Sequence, residues 1–339
     1  MAVTIKDIAE KAQVSLATVS RVLNNSGFVK EEKRELVLKT IKELNYVPNS
    51  VARSLSTSQS NTIGVVIPDV NNPFFGEVIK GIATVADEED FNIILCDTDE
   101  NIDKEFKALE MLKKQRVRGI IITPTSDKNE FNSEYLEALE SLGIPIVLID
   151  RDVKYSNFDG VFLDSLNGAF EATDALIKEG HKKIAIIAGP QTSKPGRDRL
   201  RGYRKAMIMN KLDIDEKYIF YGDFKLESGY KITKEILKME DRPTAIFVCN
   251  NMMNLGCIKA LFEQNINIPG DIALIGFDEI EMLNVLNFKI SVVSRPTTEM
   301  GRVAMNMLID RLKDEESTHT KRITLSPKLT LKGSEKLLD

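Results

Sequence analysis

The chain has 339 residues, 42% of them hydrophobic, which is enough for about two or three hydrophobic cores. No apolar run approaches the roughly 20 residues of a membrane-spanning helix, and no apolar signal-peptide segment opens the chain. We therefore expect a cytoplasmic protein. The three cysteines have neither disulfide nor metal-site spacing, so we expect them to be buried.

Charge is distributed unevenly along the chain. The first 57 residues carry nine Lys and Arg against six Asp and Glu, a net charge of +3, whereas the remaining residues carry −8. A basic N-terminal segment on an acidic body favours contact of that segment with nucleic-acid phosphates.

Three short helices are predicted at the N-terminus. The first spans about residues 6–12 and the third about 31–45, while Ser15 can cap the second through its hydroxyl. In the second helix, Val19, Val22 and Leu23 have the spacing of a buried face. The residues left on its outer face are Leu16, Ala17, Ser20, Arg21 and Asn24. Such a small and polar face is typical of a helix that enters the major groove of DNA.

A separable segment follows this head. Residues 48–60 begin with a proline and end in a run rich in serine, and a helix of this length is marginal by itself. We therefore divide the chain into a head (residues 1–47), a hinge helix and linker (residues 48–60), and a core (residues 61–339).

In the core, short apolar strands alternate with helical patterns, which indicates parallel sheets covered by helices on both faces. The pattern repeats in two halves. We predict that lobe one comprises residues 61–158 and 290–315, and lobe two residues 159–289 and 316–339. The chain would then pass between the lobes near residues 155–162, 283–288 and 314–321. A cleft between such lobes, at the carboxyl ends of the strands, is the expected ligand site.

Groups that carry out catalysis are scarce. The two histidines, His181 and His319, lack the spacing of a catalytic triad or a metal site, and no glycine-rich phosphate loop occurs. We therefore expect no enzymatic activity, no cofactor and no metal.

Polar and aromatic residues instead follow the predicted strands. Residues 71–75 join two amides to two aromatic rings at a helix start, and Asp150 with Arg151 ends the fourth strand. Any one of these groups could be a helix cap or a surface ion pair. Because they all occur at strand ends in both halves, we interpret them together as a site for a polar ligand.

The N-terminal residues resemble the LacI/GalR (lactose-repressor/galactose-repressor) family of transcriptional regulators. The matching runs are residues 3–9, 14–24 and 48–55, and the resemblance covers essentially the full chain. It implies an α/β fold, with an N-terminal helix-turn-helix head plus two doubly wound parallel-sheet lobes like those of the periplasmic ribose-binding protein. It also implies a homodimer whose two heads bind a pseudo-palindromic operator.

The resemblance assigns DNA-binding roles to individual residues. Positions that match base contacts are Leu16, Ala17 and Arg21. Positions that touch or lie near phosphates are Thr4, Ser15, Thr18, Ser20 and Asn24. In the hinge helix the DNA-binding positions are Asn49, Ala52 and Leu55, of which Leu55 matches an apolar wedge that enters the minor groove and bends the duplex.

The resemblance also implies an effector site. Positions that match sugar contacts are Asn72, Phe74, Phe75, Asp150, Arg151, Arg199, Phe224, Asn250 and Asp278. Two positions depart from the family: Asn251 replaces an Asp, and Arg295 replaces the Gln that commonly precedes a proline. If its side chain faces the cleft, Arg295 would be a third cationic group beside Arg151 and Arg199 and could bind a carboxylate or phosphate on the sugar. Alternatively, its side chain would point away from the cleft. We therefore expect a repressor controlled by a small sugar or sugar-acid effector.

Other interpretations remain open. A cytosolic sugar-binding or sugar-acting protein with no gene-regulatory role would need the lobes but not residues 1–57. Control by a partner protein, as in catabolite-control members, is less favoured because Asn306 replaces the Arg that this resemblance would require. Residues 331–339 are too short for a tetramerisation helix, which favours a dimer.

Overall fold

The computed structural model describes residues 3–23, 26–44, 46, 61–126, 130–154, 157–314 and 319–338, except for the side chains of residues 130–132. The chain divides into two compact units, Met1–Ser60 and Asn61–Asp339.

The described part of the smaller unit contains three helices: α1 (Ile5–Lys11), α2 (Leu16–Leu23) and α3 (Glu31–Glu43). Thr4 and Asp7 cap the start of α1 reciprocally, so that two backbone N–H groups are satisfied there. The buried apolar side chains in the described part of this unit are Ile8, Ala9, Ala12, Val19, Val22 and Val37. The predicted inner face of α2 is thus confirmed for Val19 and Val22, although Leu23 is only partly buried.

The described part of the larger unit contains two six-stranded sheets. Its strands are β1 (Thr62–Ile67), β2 (Asn92–Asp97), β3 (Gly119–Ile122), β4 (Ile146–Ile149), β5 (Asp159–Leu163), β6 (Ile184–Ala188), β7 (Ile219–Tyr221), β8 (Ala245–Val248), β9 (Ala273–Phe277), β10 (Ser291–Ser294), β11 (Arg322–Leu325) and β12 (Lys328–Thr330). The first sheet has the order β11-β5-β4-β3-β1-β2 and the second the order β12-β10-β9-β8-β6-β7. Neighbouring strands are parallel, apart from the antiparallel pair of β10 and β12.

Helices cover both faces of the sheets. They are α4 (Pro73–Glu88), α5 (Ile102–Lys114), α6 (Glu130–Ser141), α7 (Ser165–Lys178), α8 (Lys194–Met209), α9 (Leu226–Leu237), α10 (Asn251–Glu263), α11 (Glu281–Val285) and α12 (Thr297–Lys313), with a 3-10 turn at Glu216–Tyr218. In β1, Val65 packs into one apolar cluster and Val66 into another on the opposite face. A strand buried on both faces has few polar residues, which explains the continuous apolar runs of the sequence.

The first two passages between the lobes differ from the predicted ones. Strand β5 pairs with β4 in the first sheet, so the chain leaves lobe one after Leu163 and not at residues 155–162. Strand β10 pairs with β9 in the second sheet, so the return follows Ser294 and not residues 283–288. These errors arise because a strand's membership of a sheet depends on pairing with distant residues, which its own apolar pattern does not encode.

The third passage is also displaced. Strand β11 pairs with β5 in lobe one, and β12 pairs with β10 in lobe two, so the chain crosses between Leu325 and Lys328 and not at residues 314–321. Lobe one therefore includes β5, α12 and β11, whereas lobe two includes β10 and β12.

Helix α12 is held on lobe one by close contact with α4. A Cβ atom on Gly81 would lie 2.0 Å from the carbonyl oxygen of Thr298, and one on Gly301 would lie 2.1 Å from that of Val78. Only glycine permits two helix backbones to approach so closely. This packing fixes the residues that follow β10, where the chain enters lobe one.

Candidate functional site

The outer face of α2 has the composition expected for DNA contact. Its exposed residues are Leu16, Ala17, Ser20 and Arg21, and Thr18 is partly exposed. The hydroxyl oxygen of Ser15 accepts a hydrogen bond of 3.2 Å from the backbone N–H of Thr18, so the predicted cap of α2 is confirmed. Thr4 lies at the start of α1, where its hydroxyl donates to Asp7 at 2.8 Å.

The remaining predicted DNA contacts cannot be placed in the same way. Asn24, Asn49, Ala52 and Leu55, together with the predicted hinge segment at residues 48–60, lie outside the described residues.

In the larger unit, the lobes face each other across a cleft at the carboxyl ends of their parallel strands. The cavity between the lobes has a volume of about 30 Å³, so the lining side chains nearly fill the cleft. All ten predicted effector residues line it: Asn72, Phe74, Phe75, Asp150, Arg151, Arg199, Phe224, Asn250, Asp278 and Arg295.

Helix starts position several of these side chains. The Asn72 side chain caps α4 by accepting from the N–H of Phe74, and the Asn250 side chain caps α10 by accepting from the N–H of Met253. The amide of Asn250 also donates to the carbonyl of Phe224 at 2.8 Å. Both asparagines thus serve as helix caps, and the second also fixes the backbone of an aromatic residue in the cleft.

Three cleft residues have left-handed backbone conformations that are unfavourable for side chains other than glycine. The φ angles are 65° at Asp150, 68° at Phe224 and 72° at Asp278. Gly189 makes room for the Phe224 ring, because a Cβ atom there would lie 2.2 Å from the ring. Such strain costs about 1–3 kcal/mol per residue and concentrates at functional sites.

Arg295 joins carboxylates of the two lobes. Its Nε and Nη2 donate to Asp278 at 2.5 and 2.6 Å, and its Nη1 donates to Asp150 at 2.6 Å. The guanidinium carbon lies 3.5 Å from the centroid of the Phe74 ring, and the side chain is 4% exposed. Arg295 therefore faces into the cleft, but it is not the free cation that the sequence suggested, since two carboxylates share its charge.

Arg151 is likewise paired within the cleft. Its Nη1 and Nη2 donate to both carboxylate oxygens of Glu100 at 2.7 and 2.6 Å. Burial acts to lower the pKa of Arg151, but the carboxylates of Glu100 and Asp150 outweigh it and the pKa is raised. Sequence reasoning missed Glu100, although its position shortly after β2 follows the same strand-end rule as the other residues.

The guanidinium of Arg199 is only partly hydrogen-bonded. Its Nη1 donates to the carbonyl of Cys249 at 2.6 Å, and its guanidinium lies 3.8 Å from the centroid of the Phe277 ring. Within the part of the chain that the structure describes, its buried Nε has no hydrogen-bond partner. Burial, reinforced by the nearby charge of Arg295, lowers the pKa of Arg199. The cleft thus keeps an arginine that can donate to acceptor atoms of a ligand.

Further contacts join the lobes around the cleft. The amide of Asn251 donates to the side chain of Asn72 at 2.9 Å, and Lys225 forms an ion pair of 2.9 Å with Asp99. Asn251 thus replaces the family's usual Asp with a group that can both donate and accept. Asp223, another residue at a strand end, also lines the cleft, as do Asp69, Pro195 and Lys225, which sequence reasoning did not include.

The cysteines are buried, as predicted. Burial raises the pKa of the Cys249 and Cys257 thiols to about 12. Over the described ranges, no cluster of His, Cys, Asp and Glu is suited to a metal ion. None of the helices in those ranges combines the length and apolar character needed to span a bilayer.

The comparisons agree with this two-part organisation. A model described as "Bacterial regulatory proteins, lacI family" matches residues 4–49, and one described as "Periplasmic binding protein-like domain" matches residues 173–334. The HTH-type transcriptional repressor PurR of Haemophilus influenzae (strain PittEE) is 36% identical over 336 residues, which cover 98% of each chain. The chain belongs to the LacI family of bacterial regulatory proteins.

Solved structures support the same assignment for the fold. A lac repressor dimer bound to operator and the anti-inducer ONPF matches with a TM-score of 0.86 and 26% identity, over 99% of this chain and 100% of that chain. The transcriptional regulator CelR in complex with cellobiose matches with a TM-score of 0.73 and 30% identity, over 98% and 99%. The predicted α/β fold with a helix-turn-helix head and two parallel-sheet lobes is thereby confirmed, and this LacI-family chain is a DNA-binding transcriptional regulator.

Proposed function

We propose that this LacI-family protein is a cytoplasmic repressor that binds a pseudo-palindromic operator as a homodimer. A small sugar or sugar acid in the cleft controls its affinity for the operator. One observation carries the proposal: ten polar and aromatic side chains from the two lobes line a single cleft. The head of the same chain has an exposed helix, α2, of the kind that enters the major groove of DNA. The relative CelR has cellobiose bound, which supports a carbohydrate ligand.

The chemistry of the cleft supports a ligand with several oxygen atoms. The Nε of Arg199 has no protein partner, and Phe75 and Phe224 line the cleft, where aromatic rings suit the C–H surface of a sugar. A buried site of this kind rejects analogues that lack the matching hydroxyl, because its own polar groups would be left unpaired. We expect Asn72, Arg151 and Asn250 to help orient the ligand.

Exposed apolar side chains support the proposed dimer. In and just after α11, Met282, Val285 and Leu286 are 64%, 75% and 69% exposed. Contiguous apolar groups on a surface mark contacts with another molecule. Val285→Glu with Leu286→Lys should therefore shift the sedimentation coefficient from that of a dimer toward that of a monomer, whereas an unchanged coefficient would count against this surface.

The effector proposal is tested by mutual dependence of two affinities. A thermal-shift screen of neutral sugars and sugar acids identifies a ligand, because a ligand that binds only the folded state raises its melting temperature. Selection from random duplexes supplies an operator. The operator should then change ligand affinity by the same factor as the ligand changes operator affinity, typically about 5–150-fold. Equal ligand affinities with and without saturating operator would show that the cleft does not control the head.

A further inference from the structure

The surroundings of Arg295 are those of a bound cation. A ring face lies under the guanidinium, one carboxylate accepts two parallel hydrogen bonds, and a second carboxylate accepts a third. Planar bidentate pairing and flat stacking on an aromatic ring are the two interactions that distinguish a guanidinium from an ammonium group. The three partners are Phe74, Asp150 and Asp278, and the two aspartates are at most 8% exposed.

The two carboxylates require a cation between them. Asp150 belongs to lobe one and Asp278 to lobe two, and each lies within 2.6 Å of the same guanidinium. Their negative charges therefore lie close together, and the guanidinium between them offsets the repulsion. Both aspartates have left-handed backbone conformations, which are concentrated at functional sites.

Arg295 reaches this position from the passage between the lobes. It follows β10 of lobe two directly and precedes α12, which packs on lobe one. Arg295 therefore lies in the connection between the two lobes, from which its side chain enters the cleft.

We propose that Phe74, Asp150 and Asp278 form a binding subsite for a planar cation, and that Arg295 is its tethered occupant. In the intact protein the subsite is closed to cationic ligands, and its two carboxylates are engaged before an effector arrives. An effector then meets the other half of the cleft, where Arg199 and Asn250 lie. If Arg295 is shortened, the subsite accepts a free guanidinium compound.

The test is chemical replacement of the missing side chain. Arg295→Ala removes the atoms that ethylguanidinium contains, so the full-length variant should bind ethylguanidinium with one-to-one stoichiometry in calorimetry. Ethylammonium, a point charge without the planar fork, should bind at least about tenfold more weakly. The intact protein should show no saturable binding, because the subsite is filled. Arg302→Ala, which removes a 42% exposed arginine from α12, is the matched control and should also not bind.

A second pair of variants tests the carboxylates. Arg295→Ala combined with Asp278→Asn should lose the binding of ethylguanidinium, since the bidentate partner is gone. Arg295→Met combined with Asp150→Asn and Asp278→Asn removes the guanidinium together with both of its carboxylate partners, so it should show no binding of ethylguanidinium.

The subsite can also be tested if the Arg295→Ala variant fails to fold by itself. If Arg295→Ala does not fold alone, ethylguanidinium in the refolding buffer should raise the yield of folded protein, and ethylammonium at the same concentration should not. The proposal is wrong if Arg295→Ala binds ethylguanidinium no better than Arg302→Ala does. It is also wrong if Arg295→Ala does not fold alone and ethylguanidinium fails to raise the yield of refolded protein. Because neither effector nor operator is used, such a result would leave the proposed repressor function untouched.

Discussion

We propose that Arg21 in the head helps to distinguish one base from another. It is exposed on α2, and arginine pairs through two hydrogen bonds with the edge of guanine. We expect Arg21→Ala to lose about 1–3 kcal/mol of discrimination between the operator and a duplex with one altered base pair, as measured by fluorescence anisotropy. Arg21→Lys keeps the charge but loses the fork, so it should retain nonspecific affinity and lose discrimination. Unchanged discrimination in both variants would exclude this residue from base contact.

His181 makes stability depend on pH. Its side chain is 2% exposed, and its ring nitrogens contact the hydroxyl of Thr244 at 2.9 Å and the carbonyl of Glu335 at 3.1 Å. Burial lowers its pKa below the ordinary value of 6.5, although the carbonyl of Glu335 partly opposes the shift. The unfolded chain therefore binds a proton more readily, so the stabilisation is complete above about pH 6.5 and is lost as the pH falls.

Thermal unfolding between about pH 7.5 and 5.5, where histidine titrates, measures this contribution. The melting temperature should fall with pH, and His181→Gln should make the fall shallower. His319→Gln, at the exposed second histidine, should leave the slope as it is. The same slope in His181→Gln as in the unaltered protein would contradict the assignment.

At the level of elements, the contact of α4 with α12 can be tested with a matched pair of glycines. Gly81→Ala places a Cβ atom against the backbone of Thr298, so we expect a loss of about 1–3 kcal/mol of unfolding free energy from overpacking. Gly76→Ala, in the same helix, meets no atom within 4 Å, and it should be neutral or stabilising by up to about 1 kcal/mol. Urea denaturation of both variants measures the difference, and equal stabilities would show that the helices separate readily.

The elements themselves were largely predictable, because each strand is a local apolar run. The fourth strand was predicted to end at Asp150 and Arg151, and β4 ends at the preceding residue, Ile149; Cys249 was correctly expected to be buried. The sheet to which β10 and β11 belong was not predictable, since pairing joins residues far apart in sequence. The cleft residues followed from the strand-end rule, but the partners of Arg295 did not, because only the folded chain brings Asp150 and Asp278 together.

In the core, the buried cysteines allow local unfolding of each lobe to be measured by the modification of their thiols. Cys96 lies in β2 of lobe one, whereas Cys249 and Cys257 lie in lobe two, and all three are buried. A thiol reagent should therefore react slowly with the native protein and rapidly with the unfolded protein, since only the thiolate of an exposed cysteine attacks it. Mass spectrometry of partly modified protein should show lobe-wise modification if the lobes open independently. Immediate reaction of any one thiol in native protein would contradict its burial.

The three passages between the lobes have a consequence for the order in which the protein is made. Lobe one begins with β1, but α12 and β11 complete it only after nearly all of lobe two has been synthesised. Until α12 emerges from the ribosome, the apolar cluster that contains Val65, Ile121 and Met305 lacks one wall. Lobe one therefore cannot bury all of its apolar surface until α12 has been synthesised. Nascent chains stalled before α12 should bind chaperones.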